Sequence, residues 1–415
     1  MSDFGLESVE SFRLRARSWL NENMPPIQLQ RRDVDLDDDT AEWERARELQ
    51  RKLYDGGFAG IAFPKEYGGL GLTPAHQAAF TEETDGYEMP LKLNTPSLTI
   101  CAATILDMGS EQQKRERISA AIRGDEILAQ FLSEPRGGSD LAGVTTRADR
   151  DGDTWILNGA KTWSSSAYAA DWALCLARTD WDAPKHRGLT MFLVPTKAPG
   201  ITMRRIRQVN GSNEFCEEFF DDVVLPADAV VGEVNNGWSV ASRQLFHEKV
   251  AVGGGSPYAS GKGLGDSLQG PGSPVAIAQR LGRTGEPAVR EIIGEWHARK
   301  LVSNSLIGRI SEALKSEMMP APASSFMRLF TAEFDWFTYD VSLQVSGGYG
   351  AIAPQDDDGL LARAAVGYLS RQGGSLGGGS TEMARNIISE RVLGMPREFA
   401  ADRDVPFNQV PQGAR

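Results

Sequence analysis

The sequence predicts an α+β protein built in three consecutive parts, the first helical, the second β and the third helical. Residues up to about 120 have helical character, short extended runs separated by turn residues begin near 125, and apolar residues at helical spacing return from Trp238. No βαβ unit is recognisable, which disfavours a Rossmann fold. We expect a helical domain at 1–122, a β-barrel or β-sandwich domain at 123–233, a four-helix bundle at 234–396 and a tail at 397–415.

The composition excludes several classes of function. A length of 415 residues allows about three domains. The formal net charge of −12 argues against a nucleic-acid partner, which needs a basic face. The three cysteines and four histidines are scattered, so neither a disulfide framework nor a metal site is expected. Because no apolar run would span a membrane and no signal-peptide pattern is found, we expect a cytoplasmic protein.

Three polar or glycine-rich stretches are predicted to contain loops. The charge-rich residues 31–53 indicate a solvated loop that runs into an amphipathic helix. Pro and Gly residues at 63–74 predict a compact turn between helices. The glycine-rich stretch 253–274 contains Gly261-Lys262 but lacks the flanking residues of a phosphate-binding loop, so we expect a flexible surface loop.

Extended runs in the middle of the chain predict the β domain. Asp151-Gly152 lies between the runs Val144–Ala148 and Thr154–Leu157, which is a hairpin signal. The remaining strands are expected at 171–179, 188–196, 200–206 and 216–226.

The segment AQFLSEPRGGSD at 129–140 has the chemistry of a ligand-binding turn. Its first residues have strand character, Pro135 ends the strand, and Gly137-Gly138 allows close approach of the backbone to a ligand. Ser133, Ser139 and nearby N–H groups are suited to an anion or a polar ring edge. Taken alone, the spacing is more typical of an ordinary turn after a strand.

A second segment, NGAKTWSSSA at 158–167, follows a short hairpin later. The two segments together resemble the flavin-binding signatures of the acyl-CoA dehydrogenase family, S/T-E-P-x-x-G-S-D followed by N-G-x-K-x-W-x-[ST]. The resemblance extends from roughly 60 to 395. It implies the family's three-domain fold and an FAD-dependent acyl-CoA dehydrogenase of fatty acid or lipid metabolism, of the β-oxidation type.

The resemblance also implies which residues contact the flavin ring. Trp163 corresponds to the flat wall, although by itself it is equally consistent with a core aromatic residue. The other contacts carried over from the family are Gln130, Leu132, Ser133, Ser139 and Ser165, of which Ser139 also contacts the substrate.

The adenine half of FAD is received in the family by two glycine-rich segments, partly from a neighbouring subunit. Here they correspond to Gln344 and Gly348 in a turn, and to Ser380 and Glu382 at the start of the last helix, where free N–H groups favour an anion. The resemblance therefore implies a homodimer, a homotetramer or a hetero-oligomer. Read in isolation, each glycine cluster is more typical of a helix C-cap or a loop. The family's Arg-x-x-Phe-Gly run is missing from 275–300, where Arg290 is an unsupported replacement.

The catalytic base departs from the commonest pattern of the family. Many members carry this Glu just before the last helix, where the present chain has Gly378. A minority, including the isovaleryl and long-chain types, place the base in a Glu-[RK]-x-x-x-x-Gly-Gly context, which Glu248-Lys249 and the residues up to Gly254 resemble. Glu248 lies on the apolar face of a predicted helix with Trp238, Ala241, Leu245 and Val252. The competing interpretation is an exposed residue or an ion pair with Lys249 or a nearby Arg.

The mechanism that the resemblance implies uses Glu248 to remove the α-proton while the β-hydrogen leaves as hydride to flavin N5, giving a trans-2-enoyl-CoA. The enolate is stabilised by a flavin ribityl hydroxyl and the Gly378 N–H. Lys249 either helps to bind CoA or is solvated. An electron-transfer flavoprotein is the expected acceptor. Two alternatives stay open: a non-catalytic partner subunit of a hetero-oligomer, and an oxidase of the same fold. The acyl group cannot be read from the motifs.

Overall fold

The structure, a computed structural model, describes residues 6–27, 39–252, 255–262, 273–352, 360–400 and 402–410. Its first part is helical, as predicted. Helix α1 begins after the Ser8 cap and α3 begins at Pro74 after a capping box formed by Thr73 and His76. The helices are α1 (Val9–Asn23), α2 (Thr40–Asp55), α3 (Pro74–Glu83), α4 (Ala103–Met108), α5 (Glu111–Gln113) and α6 (Ser119–Arg123), with π-helical segments at Asn94–Ala102 and Lys114–Ile118. Helix α2 confirms the amphipathic helix predicted in 31–53, whereas residues 28–38 lie outside the described residues.

The middle part is a single β-sheet. Its strands are β1 (Leu128–Phe131), β2 (Arg147–Asp151), β3 (Thr154–Ser165), β4 (Trp172–Arg178), β5 (Leu189–Pro195), β6 (Ile201–Ile206), β7 (Phe215–Pro226) and β8 (Val230–Val231). They are ordered β6-β7-β3-β2-β4-β5-β8, and β1 pairs in parallel with β4. The predicted hairpin is confirmed, since β2 and β3 are antiparallel and Asp151 faces Thr154 across the turn.

Strand β1 connects the sheet to the first helical part. Its Leu128 N–H donates to the Ser97 hydroxyl at 3.0 Å, and Ala129 O accepts from the Cys101 thiol at 3.3 Å. Both partners belong to the π-helical segment. The chain that leaves β1 is therefore fixed against this segment and against β4 before it enters the glycine-rich turn at 135–140.

The last part is again helical. It contains α7 (Gly237–Val252), α8 (Pro274–Arg280), α9 (Pro287–Lys315), α10 (Ser324–Ser346), α11 (Gly348–Ile352), α12 (Leu360–Ser370) and α13 (Thr381–Ile387). Helices α8, α9, α10 and α12 share one apolar core. Helix α7 packs instead into the core of the first part through Val240 and Ala241. Within the described ranges, no helix has the length and apolarity needed to cross a membrane.

Three expectations need correction. The apolar face of α7 does not run to Val252, which is 66% exposed, because the buried side turns toward Gln244 and His247. The described residues 255–262 do not lie wholly at the surface: Ser260 is buried, and its N–H donates to the Asn94 side-chain oxygen. Residues 253–254 and 263–272 lie outside the described residues. Part of the predicted tail is packed, since Phe407 lies under the Arg178 guanidinium at 3.6 Å.

Candidate active site

Trp163 is presented to solvent by an irregularity in β3. The register between β3 and β7 shifts between Thr162 and Ser164, so Trp163 lies in a β-bulge, with φ +63°. A left-handed backbone at a non-glycine residue costs about 1–3 kcal/mol and is concentrated at functional sites. The ring is 56% exposed and packs edge-on against Phe215. The bulge therefore turns a large aromatic side chain outward as a free flat wall.

A buried ion pair joins the two signature segments, and sequence reasoning missed it. Lys161 is fully buried, and its Nζ donates to Glu134 Oε1 at 2.9 Å and to Leu132 O at 3.0 Å. The same carboxylate accepts from the N–H groups of Thr145 and Thr146. Burial alone would raise the pKa of Glu134, but the Lys161 charge and these hydrogen bonds bring this pKa down to about 2. The sequence could have indicated this pair, because the segment 129–140 contains the acidic Glu134 and the segment 158–167 contains the basic Lys161.

The backbone between these residues brings Ser133 close to the aromatic wall. The Thr162 N–H donates to Ser133 O at 2.9 Å, which places the turn after β1 beside the bulge. A side chain at Gly138 would meet Ser133 Oγ at 2.8 Å, so glycine there leaves the Ser133 hydroxyl its present position. The hydroxyls of Ser133, Ser139 and Ser165 have no hydrogen-bond partner among the described residues. An exposed aromatic wall, with uncommitted hydroxyls on the same two chain segments, fits a planar ring with polar edges.

Glu248 lies on α7 with its carboxylate turned into the protein. The residue is half-buried, and Gln130 Nε2 donates to its Oε2 at 3.3 Å. Burial raises the pKa of the Glu248 carboxyl, while the Gln130 hydrogen bond and the charges of Lys249 and Arg328 act in the opposite direction. Gln130 lies three residues before Ser133, so the carboxylate and the wall are joined through one segment of chain.

The neighbouring turn of α7 is fixed to the first helical part. His247 is 6% exposed, and its Nε2 lies 2.7 Å from Asp107 Oδ2 on α4. Arg243 contacts the same carboxylate. These contacts set the rotation of α7 and hence the direction of Glu248. The sequence did not predict the contacts with Asp107.

Gly378 faces this carboxylate. A Cβ added at Gly378 would lie 3.7 Å from Glu248 Oε1. The residue has φ +68°, which an L side chain rarely adopts, and its N–H has no hydrogen-bond partner among the described residues. A free backbone donor therefore lies beside a half-buried carboxylate.

The other predicted residues are not all brought to this place. Lys249, Gln344 and Gly348 are exposed, and within the described chain no hydrogen bond joins Gln344 or Gly348 to the aromatic wall. Ser380 caps α13 by accepting from the Met383 N–H, and Glu382 follows it in the first turn.

The turn after α10 is contacted by an arginine that the sequence did not single out. Arg290 is exposed on α9, whereas Arg283 donates to Val345 O at 2.6 Å, next to the turn that holds Gln344 and Gly348.

A second buried carboxyl was also missed. Glu218 on β7 is fully buried, accepts from the Ser164 hydroxyl at 2.8 Å and leaves Oε1 without a partner among the described residues. Burial raises the pKa of Glu218 to about 8. The two-residue alternation of Cys216, Glu218 and Phe220 could have indicated its buried side.

The chain thus combines a β domain between two helical parts with an exposed aromatic wall and with a half-buried carboxylate beside an N–H that has no partner among the described residues. The chain matches the acyl-CoA dehydrogenase N-terminal domain over residues 7–125, the middle domain over 129–223 and the C-terminal domain over 235–393. It is 32% identical over 396 residues to acyl-CoA dehydrogenase IpdE1 of Mycobacterium tuberculosis, covering 95% of this chain and 99% of that one.

Solved structures agree. The structure described as the Tcur3481-Tcur3483 steroid ACAD has a TM-score of 0.74 and 27% identity, covering 96% of this chain and 100% of that one. The ChsE4-ChsE5 complex from Mycobacterium tuberculosis has a TM-score of 0.70 and 27% identity, with the same coverage of both chains. The chain belongs to the acyl-CoA dehydrogenase family, and its activity is FAD-dependent dehydrogenation of acyl-CoA thioesters.

Proposed function

We propose that Glu248 is the base that removes the α-proton of the acyl-CoA thioester and that the Gly378 N–H stabilises the developing enolate. The observation that carries the proposal is the 3.7 Å separation between Glu248 Oε1 and the Cβ position of residue 378. A carboxylate on α7 thus lies beside the position from which many members of the family supply their base. Glycine at 378 leaves room for it and keeps the backbone donor.

The surroundings of Glu248 suit proton abstraction. Desolvation makes a carboxylate a better proton acceptor, because the charged form is less stabilised by water. The Gln130 amide holds Oε2, which leaves Oε1 on the side of Gly378. A carbonyl oxygen that accepts from the Gly378 N–H would have its α-carbon next to this oxygen. An N–H aimed at the growing negative charge stabilises the transition state.

FAD supplies the hydride acceptor when it is bound. Trp163 would form the wall for its ring, and Ser133, Ser165, Gln130 and Leu132 would contact the ring edges. Ser139 would contact both the ring and the substrate, while Lys249 stays a proposed contact to CoA. Gln344, Gly348, Ser380 and Glu382 would receive the adenine half.

The base assignment is tested by comparing Glu248→Gln with Glu295→Gln, an exposed carboxylate on α9, as the control. Each holoenzyme is mixed anaerobically with a panel of acyl-CoAs, and bleaching of the flavin absorbance is followed. We expect Glu248→Gln to keep FAD but bleach about 10²–10⁴-fold more slowly, the usual contribution of a general base. Bleaching at the wild-type rate in Glu248→Gln would show that Glu248 is not the base. If the wild-type protein binds FAD but none of the acyl-CoAs in the panel bleaches it, the non-catalytic partner subunit is favoured.

We further infer that the FAD site is completed by a neighbouring subunit. Gln344 and Gly348 are exposed on the single chain, and the ChsE4-ChsE5 relative is described as a complex of two components. Light scattering of the purified protein should give a dimer or tetramer, and FAD per chain should separate the homo-oligomer from a chain that needs a different partner. A monomer holding one FAD per chain would contradict the inference. The acyl-CoA panel should include a steroid-derived thioester, because the similar structure is described as a steroid ACAD.

The expected electron acceptor is an electron-transfer flavoprotein. The rate at which the bleached enzyme is reoxidised is measured twice, once with an electron-transfer flavoprotein added and once under air without it. Stoichiometric hydrogen peroxide with the normal turnover rate would assign the chain to the oxidases instead.

A further inference from the structure

Arg328 on α10 is bonded to the loop that carries Gly378. Its Nη2 donates to Gly374 O and to Gly377 O, each at 2.7 Å. The N–H groups of Leu376 and Gly377 donate to Gly373 O in the preceding 3-10 turn, so their bonds stay local, whereas the two bonds from Arg328 come from another helix. The guanidinium therefore decides where this stretch of backbone lies.

One of the two carbonyls belongs to the peptide unit of the proposed donor. The C=O of Gly377 and the N–H of Gly378 are the two ends of one planar group. This peptide is trans, so the two ends point in opposite directions. When Arg328 fixes the direction of the carbonyl, it also fixes the direction of the N–H on the far side.

The bond to Arg328 also strengthens the donor. A charged donor makes a stronger hydrogen bond than a neutral one, and a polarised peptide donates more strongly from its other end. The N–H at this other end has no partner in the described chain and lies beside Glu248, whose Oε1 is 3.7 Å from the Cβ position of residue 378.

We infer that Arg328 is a positioning residue for the reaction, which orients and polarises the Gly377–Gly378 peptide so that the Gly378 N–H can bind the thioester carbonyl oxygen. This inference rests on the proposed function, in which that N–H stabilises the enolate. It adds a third element, α10, to the two that supply the base and the donor. Arg328 acts through the peptide and not by contact with the substrate.

The Nε of Arg328 is buried and has no hydrogen-bond partner among the described residues. Buried donors in folded proteins are normally satisfied, so an unpaired one needs an explanation. The guanidinium instead commits one nitrogen to both loop carbonyls and leaves another unpaired. This arrangement favours a role in placing the loop.

The test uses Arg328→Met, Arg328→Lys and, as a matched control, Arg385→Met, which removes an exposed contact to Glu333 on the same helix α10. The probe is the 2-enoyl-CoA of whichever acyl-CoA bleaches the wild type, labelled with ¹³C at the thioester carbonyl and bound to the holoenzyme. Isotope-edited infrared difference spectra then report the shift of the carbonyl stretch on binding. If Arg328 only stabilised the loop and did not influence the Gly378 N–H, replacing Arg328 would leave this shift unchanged.

We expect the wild-type shift to be lost in Arg328→Met, partly restored in Arg328→Lys and unchanged in Arg385→Met. We expect kcat to fall about 10–100-fold in Arg328→Met with KM within about 3-fold, because a weakened donor costs less than the 10²–10³-fold of a deleted one. A full carbonyl shift in Arg328→Met overturns the inference. If Arg328→Met does not fold, the inference is tested with Arg328→Lys. Lysine keeps the charge but cannot hold both carbonyls in the same geometry. A full carbonyl shift together with a wild-type kcat in Arg328→Lys overturns the inference.

Failure of the inference is separable from failure of the proposed function. Glu248→Gln removes the base but leaves the peptide intact, so the carbonyl shift should survive in it. A lost shift in Arg328→Met supports the inference even where Glu248→Gln turns over normally.

Discussion

Removing the positive charge from the buried Glu134–Lys161 pair should destabilise the protein more than any exposed charge change. In Lys161→Met the carboxylate of Glu134, which is 5% exposed, loses the partner at 2.9 Å. The pKa of Glu134 is lowered from 4.5 to about 2, and a difference of about 2.5 pKa units corresponds to about 3 kcal/mol at neutral pH. That value is the net effect of burial, of the Lys161 charge and of the Thr145 and Thr146 hydrogen bonds. For the loss of Lys161 alone we expect about 3–5 kcal/mol, the usual cost of breaking a buried pair from one side.

The sign of the pH dependence follows from the direction of the shift. Because the folded-state pKa of Glu134 is depressed, its stabilisation is present above about 4.5 and is lost as pH falls toward 2. The cost of Lys161→Met should therefore be full at pH 7 and should shrink in acid. The second mutation in Lys161→Met/Glu134→Gln removes the uncompensated charge and should recover part of the loss.

The assay is urea unfolding of the FAD-free protein at pH 7 and at pH 4, followed by tryptophan fluorescence, together with FAD content after purification. Arg299→Met, which breaks an exposed pair with Glu295 on α9, is the control and should cost less than about 0.5 kcal/mol. If Lys161→Met unfolds within 1 kcal/mol of the wild type, or if the double variant is less stable than the single one, the pair does not hold the two segments together.

Two further predictions concern the middle part of the chain. Because the pKa of Glu218 is raised from 4.5 to about 8, its neutral form is favoured in the fold, and stability present below 4.5 is lost as pH rises toward 8. Glu218→Gln cannot ionise, so its stability relative to the wild type should rise by a few kcal/mol between these pH values; a difference that is flat with pH would contradict the assignment. Trp163→Ala removes the exposed wall and should weaken FAD binding at least about 10-fold in a fluorescence titration, while Trp155→Phe, in the core of the same sheet, should not. Equal FAD affinities in the two variants would show that the ring is held elsewhere.

The sequence predicted the order of the three parts because alternation and helical spacing differ clearly along the chain. The relation between Glu248 and Gly378 was implied by the resemblance to the family, because the matched motif leaves glycine where many members carry the base. The structure adds that the two face each other at 3.7 Å.

Other features depend on distances that no local pattern reports. The bulge at Trp163 arises from a register shift between β3 and β7, and the Arg328 contact joins residues about fifty positions apart. The apolar stripe of α7 was placed partly on the wrong side, because His247 is buried by pairing with Asp107 and not by hydrophobicity. Phe407 was assigned to a polar tail because the surrounding residues are polar, although its own ring packs under Arg178.

The most direct test of whether Glu248 removes the α-proton is exchange of the substrate α-hydrogen with solvent deuterium. The holoenzyme is incubated anaerobically in D₂O with a thioester that it binds, and the recovered acyl-CoA is analysed by mass spectrometry. If Glu248 is the base, the wild type and Glu295→Gln should introduce deuterium at the α-carbon, and Glu248→Gln should not within the same time. Exchange at the wild-type rate in Glu248→Gln would show that another group takes the proton.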